Sequence, residues 1–380
     1  MKTRIYLDNN ATTFVDPRVL EAMIPVFSTF GGNPSSIHQF GQEARNLLQS
    51  SRTTIARYLH VKPNELFFTS GGTEAINMIL QGFFAARKGH IISSTIEHSA
   101  VYHILQFLEK QGSRITFLPV GLSGCVALSQ VEEAITSDTC FIALSAVNSE
   151  TGVKTDIEGI ANLAKANGIP FFVDGVALLG KEPFHVPDGV SAMAFSGHKI
   201  HAPKGVGLAF IRSTLSIPPL LLGGGQEYGK RGGTENLPGI VGLAKAIELL
   251  EIELPKAAEE MQSLKTYFET SLQDQLESVL INGSGPRVCN TSNLSFPGLD
   301  GESLLIHLDL AGIAASHGSA CSSGALEPSR VLRNMGLEKS LAQSAIRFSL
   351  SRFTTKSEVE MAISVIVDII SKMKNALANN

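Results

Sequence analysis

The sequence has few of the features that mark nucleic-acid-binding proteins, membrane proteins and secreted proteins. No run of basic residues stands out and the formal net charge is −4, so nothing favours binding to nucleic acid or to an anionic membrane. No apolar run approaches the roughly 20 residues that a helix needs to cross a bilayer, and residues 1–8 lack the apolar core of a signal peptide. We therefore expect a cytoplasmic protein that contacts neither nucleic acid nor membrane.

Cysteine is also scarce, with four residues in a chain of 380. Cys125, Cys140, Cys289 and Cys321 are far apart, and none belongs to a C-x-x-C pair. The sequence therefore predicts neither a zinc site nor a disulfide scaffold, and we expect no bound metal. For any single cysteine, a small buried hydrophobic side chain is the simplest interpretation.

Short apolar runs alternate with amphipathic stretches between about residues 65 and 212. Most of these runs are apolar throughout, which is typical of strands covered on both faces. They lie at residues 66–69, 90–93, 115–118, 141–144, 169–173, 192–195 and 207–211. Strand–helix alternation of this kind predicts an α/β fold with a mainly parallel seven-stranded sheet between helices.

The pattern changes after a helix expected at about residues 237–253. Pro255 and several charged residues precede a second expected helix at 256–275. Short strands at 292–296 and 345–350 and a last helix at about 356–377 suggest an α+β layer. We predict a large domain of residues 15–255 and a smaller domain made of residues 1–14 and 256–380.

The strongest local motif is the tetrapeptide that ends in Lys199, directly after a predicted strand. The carboxyl end of a buried strand is where α/β sheets bind ligands. Burial lowers the pKa of a lysine there and makes its amine nucleophilic toward an aldehyde. The alternative is a loop lysine in solvent. Asp174 ends an earlier strand and could keep a pyridine nitrogen protonated, although a lone aspartate after a strand can also cap a helix.

Two further segments follow predicted strands. Residues 69–74, Thr-Ser-Gly-Gly-Thr-Glu, open a helix, and its backbone N–H groups could cradle a phosphate. The alternative is a capping box with Ser70 or Thr73 as the N-cap. His98 could stack on a planar ring or move a proton, or it could be structural.

Residues 316–325 surround Cys321, and eight of these ten residues are Gly, Ala or Ser. Such a stretch cannot pack a core, so we predict an accessible, mobile loop. Mobility would let the thiolate reach a substrate and present its product elsewhere.

Taken together, these segments resemble the NifS/IscS-like cysteine desulfurases of the class V aminotransferase group, and the resemblance covers nearly the whole chain. The motifs that carry it lie at residues 6–13, 32–38, 69–74, 97–98, 196–207, 223–227, 233–236, 318–321, 326–329 and 346–350. The resemblance implies a homodimeric fold type I enzyme that depends on pyridoxal phosphate. It also implies that L-cysteine is the substrate.

The resemblance further implies a role for each matched residue. Lys199 would bind the cofactor aldehyde, Asp174 would pair with the pyridine nitrogen, and His98 would stack on the ring and assist proton transfer. The phosphate would be held by Gly72, Thr73, Ser196 and His198, with Thr234 contributed by the partner subunit.

Substrate handling is implied in the same way. Arg347 would clamp the substrate carboxylate, with Asn10 as a further substrate contact. Cys321 would attack the substrate sulfur, giving an enzyme persulfide and releasing alanine. The persulfide would then serve an iron–sulfur scaffold or another sulfur-acceptor protein. Alternatives are a selenocysteine lyase or cysteine C–S lyase of the same fold, and a catalytically weakened scaffold.

Two positions depart from the family pattern. Ala177 stands where the family usually has Gln, and Ser149 stands where it usually has Asn. Both missing amides would donate hydrogen bonds toward the phenolic oxygen of the cofactor. Loss of one such bond typically costs ~1 kcal/mol, so we expect altered turnover and an altered spectrum.

Overall fold

Helices and strands alternate along the computed structural model, which describes residues 4–29, 31–318 and 328–378. The strands are β1 (Ile5–Tyr6), β2 (Leu66–Thr69), β3 (His90–Ser94), β4 (Arg114–Leu118), β5 (Thr139–Ser145), β6 (Phe171–Asp174), β7 (Ala192–Ser196), β8 (Gly207–Ile211), β9 (Leu280–Ile281), β10 (Thr291–Ser295), β11 (Ile313–Ala314) and β12 (Ala345–Ser349). The helices are α1 (Pro17–Ser28), α2 (Gln39–Leu59), α3 (Gly72–Ala86), α4 (Ser99–Lys110), α5 (Leu128–Ala134), α6 (Ile157–Ala166), α7 (Leu237–Gln275), α8 (Gly301–Ala311), α9 (Arg330–Asn334), α10 (Lys339–Gln343) and α11 (Lys356–Ala378). No helix in these ranges is both long enough and apolar enough to cross a bilayer.

The seven strands predicted from apolar runs form one sheet in the order β2-β8-β7-β6-β5-β3-β4. The five strands from β3 to β7 are all parallel to one another. Strand β8 is antiparallel to both of its neighbours, β2 and β7. Every residue of β2, β3, β6, β7 and β8 is buried, because helices cover both faces of the sheet. This burial explains why the runs do not alternate. The predicted α/β architecture is confirmed.

The carboxyl ends of four strands meet at one edge of this sheet. Strands β5, β6 and β7 end at Ser145, Asp174 and Ser196, and a link of two residues joins β2 to α3. A short 3-10 turn, Gly197–Lys199, follows β7 directly. Residues far apart in the chain are therefore brought to one place, which is where α/β sheets bind ligands.

A second hydrophobic core lies apart from the large sheet. It is built on the antiparallel sheet β12-β10-β9 and includes Ile5 and Leu7 from the start of the chain. Strands β10 and β12 coincide closely with the predicted strands, and Asn293 lies opposite Arg347 in their register. Both chain ends thus contribute to one core. The division of the chain into domains at residue 255 stays a prediction.

The helix expected to end near residue 253 continues instead. Helix α7 spans 39 residues with Pro255 inside it, so the expectation of two separate helices is wrong. A proline removes one backbone hydrogen bond of the helix. Buried Leu254, Ala257 and Met261 surround the proline, and α7 packs against α1, α2 and α11. This packing on both sides of Pro255 offsets the lost hydrogen bond.

His201 joins the segment after Lys199 to the segment that precedes α1. Its Nδ1 donates to the carbonyl of Phe14 at 2.9 Å, and its backbone N–H donates to Thr13 Oγ1 at 2.8 Å. The side chain is buried, and burial together with the nearby charge of Arg352 lowers its pKa to about 4. In the folded protein the ring is therefore neutral at neutral pH.

We expect His201 to make folding sensitive to acid. Between its unfolded pKa of 6.5 and its folded pKa of about 4, the unfolded chain binds the extra proton. Its contribution to stability is present above pH 6.5 and is lost as the pH falls toward 4, by roughly 2 kcal/mol between pH 7.5 and pH 5. Urea unfolding at these two pH values should show a smaller difference for His201→Phe than for the wild type. The control is His103→Phe, which replaces an exposed histidine and should leave the difference between the two pH values unchanged. If the free energy of unfolding changed equally with pH in both variants, the prediction would be contradicted.

Candidate active site

One pocket lies at the carboxyl edge of the large sheet and reaches strand β12 of the second core. The predicted site residues that line it are Asn10, Gly72, Thr73, His98, Asp174, Ser196, His198, Lys199 and Arg347. They come from segments spread over most of the chain. The structure therefore brings together nine of the residues that the sequence singled out.

Lys199 lies at the end of the 3-10 turn after β7, with its amine in the pocket. Nζ donates to the carbonyl of Ala11 at 2.9 Å and to the carbonyl of Asn10. The N-terminal motif thus holds the amine from one side. The alternative of a loop lysine in solvent is wrong.

Asp174 is the last residue of β6 and is buried in the pocket wall. Its Oδ1 accepts a hydrogen bond from the backbone N–H of Val176 at 3.0 Å, but a turn follows and no helix begins there. The helix-cap alternative is therefore wrong. Burial raises the pKa of the carboxyl, while the neighbouring His98 and Lys199 oppose this shift. A cationic partner in the pocket would stabilise the carboxylate form.

His98 has both a structural and a pocket-lining position. It is the N-cap of α4, and its Nδ1 accepts a hydrogen bond from the backbone N–H of Ala100 at 3.1 Å. The neutral ring consequently carries its proton on Nε2. Burial lowers the pKa of His98, with Asp174 acting in the opposite direction. The site therefore contains a neutral imidazole with a defined tautomer.

The start of α3 presents backbone amides without a side-chain cap. Gly71 is the N-cap, and no side chain of the described residues accepts from the first turn, so the alternative with Ser70 or Thr73 as N-cap is wrong. A Cβ at Gly72 would lie 2.8 Å from Val176 Cγ2, so glycine is needed for this close approach. Uncapped amides at a helix N-terminus bind anions.

Ser196 and His198 lie beside this helix start. Ser196 is buried at the end of β7, and His198 Nδ1 lies 3.1 Å from Thr12 Oγ1. Burial, with added repulsion from Lys199 and Lys204, lowers the pKa of His198 to about 4. A neutral imidazole and a hydroxyl therefore complete a set of hydrogen-bonding groups that suits a phosphate.

Arg347 enters the pocket from β12 with a side chain that is 2% exposed. Nη2 forms an ion pair with Asp8 Oδ1 at 2.9 Å, and Nη1 donates to the carbonyl of Ser149 at 3.2 Å. Nε is buried and has no hydrogen-bond partner among the residues that the structure describes. A guanidinium with unused donor capacity is suited to a ligand carboxylate.

Asn10 lines the pocket as well, but its amide is used by the protein. Nδ2 donates to the carbonyl of Ser149 at 3.1 Å and to Thr291 Oγ1 at 2.8 Å. Asn290 donates to its Oδ1 at 3.0 Å. These contacts fix the wall of the pocket on the side of Arg347, and Oδ1 retains one lone pair for a ligand.

Several pocket residues were missed by sequence reasoning. Lys181 is buried, its Nζ lies 3.4 Å from the carbonyl of Lys199, and burial lowers its pKa to about 8. Ser145 lines the pocket and donates to Glu97, whose pKa burial raises to about 7. A lysine in a turn and a serine at a strand end carry no distinctive signal. Ser145 could have been found from its position at the end of a predicted strand, because parallel strands end at the same edge of the sheet.

Two predicted residues do not appear in this pocket. Thr234 is exposed and does not line it in the single chain. Cys321 lies outside the described residues, and so do Leu326 and Glu327 of the neighbouring motif. The two departures from the family pattern, Ser149 and Ala177, do line the pocket.

Known proteins are similar to this chain in sequence and in fold. The chain matches the model of the aminotransferase class-V family over residues 5–361. It is 42% identical to cysteine desulfurase 2 of Trichormus variabilis over 97% of this chain and 94% of that protein. A solved NifS-like protein superposes with a TM-score of 0.90 at 38% identity, covering 97% of this chain and all (100%) of the other. A structure of SspA in complex with cysteine gives a TM-score of 0.82 at 34% identity, covering 92% of this chain and 100% of the other. These matches confirm the relationship that the motifs predicted: the chain belongs to the aminotransferase class-V family.

Proposed function

We propose that this chain is a pyridoxal-phosphate-dependent cysteine desulfurase, which converts L-cysteine to L-alanine and transfers the sulfur to Cys321. The observation that carries the proposal is the convergence of four groups in one pocket: the Lys199 amine, the Asp174 carboxylate, the uncapped start of α3 and the Arg347 guanidinium. The similarity to proteins described as cysteine desulfurases supports the same reaction.

The residues present fit the cofactor. The first amides of α3 carry no side-chain cap from the described residues, and Ser196 and His198 line the same pocket, so these groups could hold a phosphate. When bound, pyridoxal phosphate supplies an aldehyde for a lysine amine and a ring that withdraws electrons from the substrate. Asp174 would keep the pyridine nitrogen protonated, and Lys199 would bind the aldehyde. Thr234 of a second subunit would add a phosphate contact in the proposed homodimer.

Arg347 and His98 would handle the substrate. The guanidinium of Arg347 pairs with the substrate carboxylate and so fixes one end of cysteine, with Asn10 forming the adjoining wall. The neutral ring of His98 would stack on the cofactor and could transfer a proton at Nε2, because Nδ1 is occupied by the Ala100 amide. Orientation of the substrate and proton transfer are thus assigned to different residues of the pocket.

The sulfur step would be a nucleophilic attack by the Cys321 thiolate. A new S–S bond forms as the C–S bond of the substrate breaks, and the substrate carbon keeps the electron pair and takes up a proton. The products are alanine and an enzyme persulfide, so no external oxidant or reductant is needed. The persulfide would be passed to a sulfur-acceptor protein in iron–sulfur assembly or thio-modification, in the cytoplasm.

Incubation with L-cysteine tests this proposal directly. We expect the wild type to release alanine and to carry a persulfide on Cys321 that mass spectrometry can map. Cys321→Ser should keep the cofactor and lose at least about 100-fold in alanine formation, because a serine hydroxyl is a far weaker nucleophile than a thiolate. Cys125→Ser, which alters a partly exposed thiol outside the pocket, is the matched control and should retain activity. Pyruvate and ammonia in place of alanine would indicate a C–S lyase.

A further inference from the structure

Asp8 is the carboxylate next to the proposed substrate clamp. Its Oδ1 accepts from Arg347 Nη2 at 2.9 Å and from Ser316 Oγ at 2.9 Å. Among the described residues, no other carboxylate lies within ion-pair distance of Arg347. Asp8 belongs to the N-terminal motif, but neither the sequence nor the proposed reaction gave it a role.

The backbones of Asp8 and Ser316 are both attached to strand β12. A parallel β-bridge joins Asp8 to Ser349, and an antiparallel β-bridge joins Ser316 to Arg347. Arg347 N–H donates to the carbonyl of Ser316 at 2.7 Å, and Ser316 N–H donates to the carbonyl of Arg347 at 3.1 Å. The backbone that carries the Asp8 carboxylate is therefore fixed by its contacts with β12. A rigidly held carboxylate can fix the direction of a partner guanidinium.

The guanidinium is fixed at two of its three nitrogens. Asp8 holds Nη2, the carbonyl of Ser149 holds Nη1, and Nε is buried without a partner among the described residues. Burying a cation without a counter-charge is unfavourable, so Asp8 compensates the charge of Arg347 while the pocket contains no anion. It also restricts the plane of the guanidinium, which decides whether a carboxylate can bind in a bidentate manner.

We propose that Asp8 is a positioning residue for Arg347, and that its carboxylate sets the orientation in which the guanidinium accepts the substrate carboxylate. This inference rests on the proposed function, in which Arg347 binds that carboxylate. The opposite role for Asp8 would be that of a competitor of the substrate: its carboxylate would occupy the guanidinium of Arg347 until the substrate carboxylate displaces it. The two arrangements predict opposite changes in affinity when Asp8 is altered.

The test compares two ligands that differ only in the carboxylate. L-alanine carries the carboxylate and the amine, whereas ethylamine lacks the carboxylate. Their dissociation constants are measured from the visible absorbance of the cofactor-loaded full chain. We expect Asp8→Asn to weaken L-alanine about tenfold and to leave ethylamine within about twofold. The KM for L-cysteine should rise by a similar factor, with little change in kcat.

Ser316→Ala is the matched control, because it removes the second hydrogen bond of Asp8 and leaves the ion pair with Arg347. Both ligands should bind to it as they do to the wild type. Asp8→Glu retains the charge and displaces the oxygen, so it should also weaken L-alanine selectively if Asp8→Asn does not fold. Equal weakening of both ligands would overturn the proposal in favour of a general structural role. Tighter binding of L-alanine would overturn it in favour of the competitor.

The outcomes are separable from those of the proposed function. Neither test ligand contains sulfur, so a failure of the Cys321 chemistry would leave the ligand comparison valid. If the wild type makes alanine from cysteine but Asp8→Asn binds L-alanine normally, only the role of Asp8 is lost.

Discussion

Replacing Lys199 with alanine is expected to abolish both the visible absorbance of lysine-bound pyridoxal phosphate and the formation of alanine from cysteine. The turn after β7 places the amine of Lys199 in the pocket. Alanine has no nucleophile for the cofactor aldehyde, so loss of activity should exceed about 1,000-fold. Absorbance spectra of the purified variant and amino-acid analysis of the reaction check this directly.

The control for this variant is Lys110→Ala, which removes an exposed lysine at the end of α4, outside the pocket. Its spectrum and turnover should match those of the wild type. A normal visible band in Lys199→Ala would show that another amine binds the cofactor. Lys181 would then be the first residue to examine, because its buried amine also lines the pocket.

The second large effect is expected on stability, at the buried ion pair between Arg52 and Glu227. Both side chains are 1% exposed, and Arg52 on α2 donates through both terminal nitrogens, at 2.9 Å and 2.6 Å. Glu227 also accepts from the backbone N–H of Phe68 at 2.8 Å. Its backbone and that of Tyr228 have positive φ angles of 46° and 55°, a conformation that is costly for residues other than glycine. The pair therefore holds a strained turn against α2 and β2.

Glu227→Gln should lower the free energy of unfolding by about 3–5 kcal/mol, because it leaves the buried charge of Arg52 without compensation. Glu251→Gln is a matched control, since it breaks an exposed pair with Arg57 on the same helix α2 and should cost roughly 0–1 kcal/mol. Urea unfolding of the cofactor-loaded proteins measures both. The double variant Arg52→Met/Glu227→Leu should be more stable than Glu227→Gln. Equal stability of Glu227→Gln and wild type would contradict the prediction.

The sheet could be predicted from sequence because its signal is local. Most strands of the seven-stranded sheet contain a continuous apolar run, and the runs at 66–69 and 207–211 coincide with β2 and β8. Burial on both faces removes alternation, so the pattern is visible within a few residues. The same argument explains the wrong boundary at Pro255: proline is a local breaker, whereas the packing that keeps α7 intact is not local.

The site could be predicted in part. Lys199, Asp174 and the start of α3 follow strands, and parallel strand ends meet at one edge, so their convergence follows from the fold class. The entry of Arg347 from β12 was implied by family resemblance, and no spacing in the chain indicates it. The pairing of Arg347 with Asp8 joins residues 339 positions apart.

The type of sheet, the residues at its carboxyl edge and the family of the chain could all be inferred from the sequence, because apolar runs and short motifs are visible over a few residues. The pairing of polar groups, in contrast, follows from the three-dimensional fold. Burial raises the pKa of Glu97 to about 7 and lowers that of His198 to about 4. The fold also places Asp8 within ion-pair distance of Arg347. The physical reason is that desolvation and ion pairing depend on what surrounds a group in space, and neighbours in the chain do not reveal those surroundings.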